Sequence, residues 1–372
     1  MNARNVQHPL LPSLTPDERS RQRSVVTLRR LLNAHVRPRN VELFEREGLP
    51  AFRARTGRDP ANATDIAKAL LASHGYRVWS AMNRSAQEMV WMAAGEPILR
   101  EVERIEAHAQ EIADAPDKRG MLYLDPQFAP PAEIASVDIH LQPGGYALER
   151  NPRDVVAGAL YESGGNLYSF GQGIGKSDSK AGAVVQHLAA IRPDFAPRRM
   201  LEVGCSAGAA ACCYAASYPD CEVHAIDIGS GMLRYAHARA EALGVRVLFH
   251  QMNGAAMEFP DGMFDLVVSN NLLHEIGRDT RAAMLREAGR VLATGGIAIH
   301  QDVPIRTAKS LVHQVEAGWD ERFNGEVFWN IYASDDLVAD MRAAGFTAAQ
   351  ITETRIEKVS GAGGWYLLSG EK

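Results

Sequence analysis

The stretch LEVGCSAG, residues 201–208, decides the fold class. Its first residues end a predicted strand over 199–203, and a predicted helix over 209–217 follows at once. Gly204 and Gly208 allow positive φ and a close approach of the backbone to a ligand, and the helix start offers free N–H groups. Several nucleotide-binding folds share such a turn, but the spacing is not the GxGxxG of a dinucleotide site.

The chain downstream of this turn alternates between strands and helices. Strands are predicted at 199–203, 222–227, 246–251, 265–270 and 296–301, with helices at 209–217, 231–243 and 280–292. This alternation predicts parallel strands joined by right-handed helical crossovers. A helix at 334–344 and two strands at 347–356 and 364–369 then predict an antiparallel pair at the sheet edge. The expected fold is therefore α/β, with a doubly wound sheet of seven strands.

Asp227 ends the second predicted strand, where an acidic side chain can accept hydrogen bonds from both ribose hydroxyls of a nucleoside. Four segments now stand in order: LEVGCSAG, HAIDIG, FPDGMFDLVVSNNLLHEI and REAGRVLATGGIAIHQDV. Together, over about 198–303, they resemble the successive motifs of class I S-adenosylmethionine-dependent methyltransferases. The tail resembles the final helix and hairpin of that family. The resemblance implies a Rossmann-like sheet, a methyltransferase and S-adenosylmethionine as the cofactor.

The same resemblance implies which residues bind the cofactor. Glu202 and the 204–208 turn would hold the methionine moiety, Asp227 the ribose, and Ile228 the adenine. Asn253 stands where the family commonly has an aspartate for the adenine amine, and its side-chain carbonyl can still accept that hydrogen bond. The predicted cofactor-binding residues are Tyr168, Glu202, Gly204, Cys205, Ser206, Gly208, Asp227, Ile228, Met232, Asn253, Gly254 and Asn270.

His274, in LLHEI after the fourth strand, is the predicted catalytic residue. Methyl transfer is an in-line displacement, so its enzyme must align the acceptor and exclude water, and an acceptor of high pKa also needs a base. His274 is expected at the carboxyl edge of the sheet, and His300 and Asp302 could reach the same edge. The other interpretation is that His274 only shapes the pocket. Neither His274-Glu275 nor the group around His300 has a recognised metal-ligand spacing, so no metal ion is predicted.

Aromatic residues indicate where the acceptor binds. The resemblance places the insert after the fifth strand over the acceptor pocket, and the connector can close the other side; core packing is the alternative for each residue. Together they favour a small planar or apolar acceptor, methylated on oxygen or nitrogen. Methylation of a protein or peptide side chain, and a regulatory protein that binds the cofactor without turnover, remain open. The aromatic residues are Trp319, Phe323, Phe328, Trp329 and Tyr332 in the insert, and Tyr161, Tyr168 and Phe170 in the connector.

Three regions are predicted. Residues 1–119 are predicted to form a helical domain that serves as a lid, in dimerisation or in substrate binding. Helices are predicted after the Thr15 cap and at 62–73 and 85–113. Met89 and Met92 lie on an apolar stripe of the last of these helices. Residues 120–180 form a connector and lid rich in glycine and proline, with short strands around 136–141. Residues 181–372 form the S-adenosylmethionine-binding domain.

The composition of the chain limits the classes of partner that it is expected to bind. The net charge of −5 over 372 residues gives no general attraction to nucleic acid or anionic lipid, although the arginine-rich front could meet an acidic partner. No apolar run spans a bilayer and no secretory signal is seen, so a cytoplasmic location is expected. A homodimer through the N-terminal helices is one expected arrangement. The four cysteines, Cys205, Cys212, Cys213 and Cys221, are expected to be reduced and buried.

Overall fold

The chain builds its fold around one mixed sheet, seen in a computed structural model that describes residues 7–169, 179–307, 310–357 and 364–372. The sheet order is β1-β4-β3-β2-β5-β6-β8-β7. The first six strands are parallel, and β8 and β7 complete the edge antiparallel. The α/β class is confirmed, but the sheet has eight strands rather than seven. The strands are β1 (Met121–Tyr123), β2 (Arg199–Val203), β3 (Glu222–Asp227), β4 (Leu248–Gln251), β5 (Phe264–Asn270), β6 (Leu292–Asp302), β7 (Ile351–Glu357) and β8 (Gly364–Glu371).

The extra strand is β1, which lies in the connector and pairs with the free edge of β4 through Leu122 and Phe249. The predicted strands around 136–141 are wrong, because a short helix and a single helical turn over Ile139–Leu141 stand there. His140 and Leu141 have φ of 55° and 63°, which no strand can contain. A three-residue strand leaves too short a pattern to be recognised, and only the exposed N–H and C=O groups of β4 give it a partner.

Sixteen helices surround this sheet in the described residues. They are α1 (Pro16–Leu31), α2 (Asn40–Leu43), α3 (Leu49–Thr56), α4 (Ala63–Ala72), α5 (His74–Arg100), α6 (Val102–Asp114), α7 (Ala132–Ala135), α8 (Val156–Tyr168), α9 (Lys180–Ile191), α10 (Ala209–Ser217), α11 (Ser230–Ala242), α12 (Arg278–Val291), α13 (Leu311–Ala317), α14 (Trp319–Phe323), α15 (Trp329–Ser334) and α16 (Leu337–Ala343). Among the described residues, none of these helices is long and apolar enough to cross a membrane.

The N-terminal region is helical. Thr15 caps α1: its hydroxyl accepts from the Glu18 N–H at 3.2 Å, while the Glu18 carboxylate accepts from the Thr15 N–H at 2.7 Å. The single helix expected at 85–113 is instead α5 and α6, separated at Glu101, whose φ of −110° and ψ of 13° leave the helical region. Met92, expected on the apolar stripe, is 72% exposed.

Helices α5 and α6 pack directly on α8 and α11, which cover the sheet. Trp91 and Ile98 share one buried cluster with Tyr235. Two glycines in α8 permit this close packing, since a Cβ on Gly164 would lie 2.3 Å from the Trp91 ring and one on Gly158 would lie 2.4 Å from Tyr235 Cβ. The N-terminal helices are therefore packed through a buried cluster against α8 and α11, and the three predicted region boundaries stay predictions.

Candidate functional site

A cavity opens at the carboxyl ends of β2, β3 and β5, where ligands bind in open α/β sheets. Its lining includes the apolar side chains Ile134, Ile139 and Ile276 and the rings of Tyr146 and Tyr161. Seven of the residues predicted to bind the cofactor also line it, namely Gly204, Ser206, Asp227, Ile228, Asn253, Gly254 and Asn270. The lining therefore combines the glycine turn with apolar side chains.

The glycine turn is fixed by its backbone. Gly204 and Gly208 both have φ of 71°, and Ser206 has φ of 45°. A Cβ on Gly204 would lie 2.9 Å from Leu272 Cδ1, and one on Gly208 would lie 2.9 Å from Ala236 Cβ. Both positions therefore require glycine for conformation and for space.

Asp227 connects this turn to the end of β3. Its Oδ2 accepts from the Ser206 N–H at 2.8 Å, and its Oδ1 accepts from the Gly229 N–H at 2.9 Å. Burial raises the pKa of this carboxyl group. An ionised carboxylate has about four acceptor positions. The acceptor capacity that these contacts leave suits the hydroxyl groups of a ribose.

Glu202, Asn270 and Tyr214 form a buried polar group behind the turn. Asn270 Nδ2 donates to Glu202 Oε1 at 2.9 Å, and the Tyr214 hydroxyl donates to Asn270 Oδ1 at 3.1 Å. Burial raises the pKa of Glu202 to about 8. Its second oxygen, Oε2, has no hydrogen-bond partner of normal geometry among the described residues. A buried acceptor without a partner is costly, so this group fits the positively charged amino end of the predicted cofactor.

The adenine end also has its predicted residues on the cavity wall. Asn253 Oδ1 accepts from the Ala255 N–H at 2.9 Å, which closes a turn. A Cβ on Gly254 would lie 2.7 Å from Val203 Cγ1, so only glycine lets this turn approach β2. Ile228 packs at the edge of the main core. These residues fit a nucleoside on this wall.

Other predicted residues lie away from the cavity. The side chains of Cys205 and Met232 are buried in the protein. The ring of Tyr168 lies under the Arg29 guanidinium, whose Cζ is 3.9 Å from its centroid, and its hydroxyl accepts from Asn324 Nδ2 at 3.3 Å. Their roles in cofactor binding stay predictions, and Phe170 lies outside the described residues. All four cysteines are free, with Cys205 and Cys212 buried and Cys213 and Cys221 half-buried.

The predicted catalytic histidine is 1% exposed and does not contribute to the cavity lining. His274 Nδ1 lies 2.5 Å from Asp302 Oδ1, and Asp302 Oδ2 accepts from the Leu273 N–H at 2.8 Å. Burial alone lowers the pKa of His274, but Asp302 and two glutamates raise it to about 9. His300 is buried beside Ser269, and burial lowers its pKa to about 4. Glu275, rather than either histidine, reaches the cavity.

A cluster at this end of the cavity could not be found in the sequence. His140 Nδ1 lies 2.7 Å from Glu326 Oε1, and its Nε2 lies 3.5 Å from Glu275 Oε1. The Tyr146 hydroxyl donates to Glu275 Oε1 at 3.1 Å. His140 and Glu326 lie in segments without a motif, far from His274 in the chain, so only folding brings the groups together.

The aromatic insert mainly supports the structure. Trp319 donates its indole N–H to Ser80 Oγ at 2.7 Å, and its ring centroid lies 5.6 Å from that of Trp79, so it binds the N-terminal helices. Trp329 packs edge-on to His274, and the Tyr332 hydroxyl donates to the Val303 carbonyl. Within the described chain, none of the five insert aromatics lines the cavity. Tyr146 and Tyr161 are the aromatic residues of its wall.

Part of this chain is similar in sequence to known methyltransferases. Residues 200–296 match the methyltransferase domain family. Ajmaline N-methyltransferase from Rauvolfia serpentina is 33% identical over 109 residues, 29% of this chain and 36% of that protein. Demethylmenaquinone methyltransferase from Thermus thermophilus is 34% identical over 122 residues, 32% of this chain and 54% of that protein. The chain thus spans about a third to a half of these relatives.

Among solved structures, the phosphoethanolamine N-methyltransferase 2 of Haemonchus contortus in complex with S-adenosyl-L-methionine is similar at 14% identity and a TM-score of 0.40, over 50% of this chain and 51% of that one. The relation to methyltransferases rests instead on the ordered motifs, the sheet order and the domain match at 200–296. Residues 200–296 therefore match a methyltransferase domain, and the ordered motifs relate this domain to the class I S-adenosylmethionine-dependent methyltransferases.

Proposed function

We propose that this chain is an enzyme that transfers a methyl group from S-adenosylmethionine to an oxygen or nitrogen atom of a small planar or apolar molecule. The observation that carries the proposal is a cavity that combines two kinds of lining residue. Asp227 and the glycine turn contribute polar groups, and Ile134, Ile139 and Ile276 contribute apolar side chains. Small-molecule sites are typically apolar with a few well-placed polar groups.

S-adenosylmethionine, when bound, supplies a methyl group on a positively charged sulfur. Asp227 would hold its ribose, and Glu202 with Asn270 would face its amino acid end. The apolar side chains would exclude water and hold the acceptor in line, which is the main catalytic task in a displacement. Asp302 and two glutamates raise the pKa of His274 to about 9, and its ring does not line the cavity, so it is poorly placed to remove a proton from the acceptor. Glu275 is the acidic group of the cluster that lines the cavity.

Binding is tested first by heating the protein with S-adenosylhomocysteine. We expect a higher melting temperature, because a ligand that binds only the folded state stabilises it. Absence of any shift at millimolar ligand would contradict the proposal. Turnover is tested next with a donor labelled in the methyl group, offered with small-molecule extracts, peptides or RNA. Label in small molecules supports the proposal, label in peptides or RNA replaces it, and no label in a competent binder supports the regulatory alternative.

A further inference from the structure

We propose that His140, His274, Glu275 and Glu326 bind one divalent transition-metal ion at the acceptor end of the cavity. Each residue offers one ligand atom, and the four atoms all lie within 4.8 Å of one another. Two imidazoles with two carboxylates form a ligand set that suits zinc, iron or manganese. Metal binding can be tested alone, and only its catalytic role rests on the proposed function.

The distances suit a shared ion. Ligands at about 2.1 Å from a tetrahedral ion lie roughly 3.4 Å from each other. His140 Nε2 lies 3.5 Å from Glu275 Oε1, and His274 Nε2 lies 3.8 Å from Glu275 Oε1 and 3.9 Å from Glu326 Oε2. The two longer contacts exceed a hydrogen bond. Small movements toward a common centre would complete the coordination.

The residue that holds His274 in place is also typical of a metal site. Asp302 accepts from His274 Nδ1, and the Leu273 N–H fixes Asp302 in turn. Metal-binding histidines commonly use their second nitrogen to bind a carboxylate in this way, which sets the tautomer and the ring orientation. This contact directs His274 Nε2 toward the two glutamates.

Glu326 supplies an independent indication. Its residue is 2% exposed, and its Oε1 makes no hydrogen bond of normal geometry within the described residues, although His140 Nδ1 lies 2.7 Å away. Ionised carboxylates are rarely buried without pairing or metal coordination. Glu275 places a second carboxylate in the same cluster, where the ligand atoms all lie within 4.8 Å of one another. A divalent cation would compensate this charge while both histidines stay neutral.

The backbone at His140 is held against its preference. His140 and Leu141 have consecutive φ values of 55° and 63°, in the left-handed region that side chains other than glycine rarely adopt. Gln87 Nε2 and Trp91 Nε1, both from α5, donate to the His140 carbonyl at 2.8 and 2.5 Å. Helix α5 of the N-terminal region thus orients His140, a metal-binding side chain that comes from the connector and not from the methyltransferase region.

Because Glu275 also lines the cavity, an ion held here would be close to the acceptor. A metal ion polarises a bound oxygen and lowers the pKa of a hydroxyl group. In this arrangement the ion would take over the activating role first assigned to His274, and His274 would act as its ligand. A bound acceptor would then add a fifth ligand to the four side chains.

The test uses the full chain without an affinity tag, treated with a chelator and titrated with Co²⁺. We expect one ion per chain and the visible absorption bands of cobalt bound to nitrogen and oxygen. His140→Ala and Glu326→Gln should each weaken binding at least ~100-fold, and Asp302→Asn, which changes only the group behind His274, by ~10–100-fold. His108→Ala should leave binding unchanged, because His108 belongs to an exposed pair with Glu111.

The thermal shift with S-adenosylhomocysteine, measured on every variant, reports the cofactor site and folding separately from the metal. A variant that keeps this shift but loses cobalt supports the proposal. Absence of stoichiometric cobalt binding in the wild-type chain would overturn it. So would undiminished binding in both His140→Ala and Glu326→Gln. Failure of the methylation assay with normal cobalt binding would count against the proposed function and not against the metal site.

Discussion

Asp227 shows how one residue can stabilise a turn and prepare a ligand site together. Its carboxylate already binds the N–H groups of Ser206 and Gly229, so the turn is formed before a cofactor arrives. Preorganisation of this kind reduces the entropy that binding must overcome. The carboxylate also lines the cavity in which the nucleoside is predicted to bind.

Asp227→Ala should weaken S-adenosylhomocysteine binding at least ~10-fold, because a hydrogen bond to a charged group contributes about 1.5–3 kcal/mol. Isothermal titration calorimetry measures the affinity. Asp220→Ala is the matched control, since Asp220 is exposed in the loop before β3. Equal affinities in wild type and Asp227→Ala would show that the ribose binds elsewhere.

Glu202 determines how stability responds to pH. Its pKa is raised by burial to about 8 from an ordinary 4.5, so the folded state keeps a proton that the unfolded state loses. The stability associated with this proton is complete below pH 4.5 and is lost as the pH rises toward 8. Glu202→Gln removes the titrating group, so the variant does not lose this stability as the pH rises. Its stability relative to wild type should therefore increase between pH 4.5 and pH 8 and stay constant at higher pH.

Melting temperatures at pH 4.5 to 9, without cofactor, test this. We expect an advantage of at least ~3 °C for Glu202→Gln at pH 8 and little at pH 4.5. The exposed Glu258→Gln should follow wild type throughout. An advantage that does not change with pH would mean that ionisation of Glu202 is not its cause.

Helix α8 demonstrates at the scale of an element how close packing depends on glycine. It lies between α5 and α11. Gly158 and Gly164 lie so close to neighbouring side chains that a Cβ at either position would overlap them. Gly165, in the same helix, has open space around its Cβ position and is exposed. The helix therefore contains glycines needed for packing beside one that is not.

Gly158→Ala should destabilise the protein by about 1–3 kcal/mol, because an added methyl group would overlap Tyr235. Gly165→Ala should stabilise it by about 0.5–1 kcal/mol through helix propensity alone. Urea denaturation of the two variants gives both values. The same sign of change in both would refute the assigned packing of α8 on α11.

Glu162 ties distant parts of the whole molecule together. From α8 it contacts His8 in the N-terminal segment at 3.0 Å, Arg239 of α11 at 3.2 Å and the Tyr235 hydroxyl at 2.8 Å. Although burial raises the pKa of Glu162, Arg239 and its other partners hold it below the ordinary value. The N-terminal segment, the connector helix and the methyltransferase helices thus share one buried charge.

Glu162→Gln should destabilise the whole chain by about 3–5 kcal/mol, because Arg239 would keep a buried charge without its carboxylate. Chemical denaturation measures the loss, with Glu111→Gln at the surface as the control. The double variant with Arg239→Met should lose less than the sum of the single variants, since the two side chains interact. If the losses of unfolding free energy are additive, Glu162 and Arg239 do not stabilise the protein through their interaction.

The sequence by itself determined the central part of the protein. The strands 199–203 and 222–227 have the predicted bounds, and the turn between strand and helix has the positive φ values that its glycines allow. Asp227 lies where the strand pattern places it. These features depend on local periodicity and on residues with restricted backbone conformations, so a short segment contains the required information.

Only the tertiary structure decided the eighth strand, the environment of His274 and the cluster around His140. A three-residue strand forms because β4 offers it an edge, and the pKa of His274 is raised because Asp302 is buried beside it. His140 and Glu326 meet because α5 and the insert fold over the sheet edge. Desolvation and pairing between distant segments act only after folding, so no local pattern in the chain encodes them.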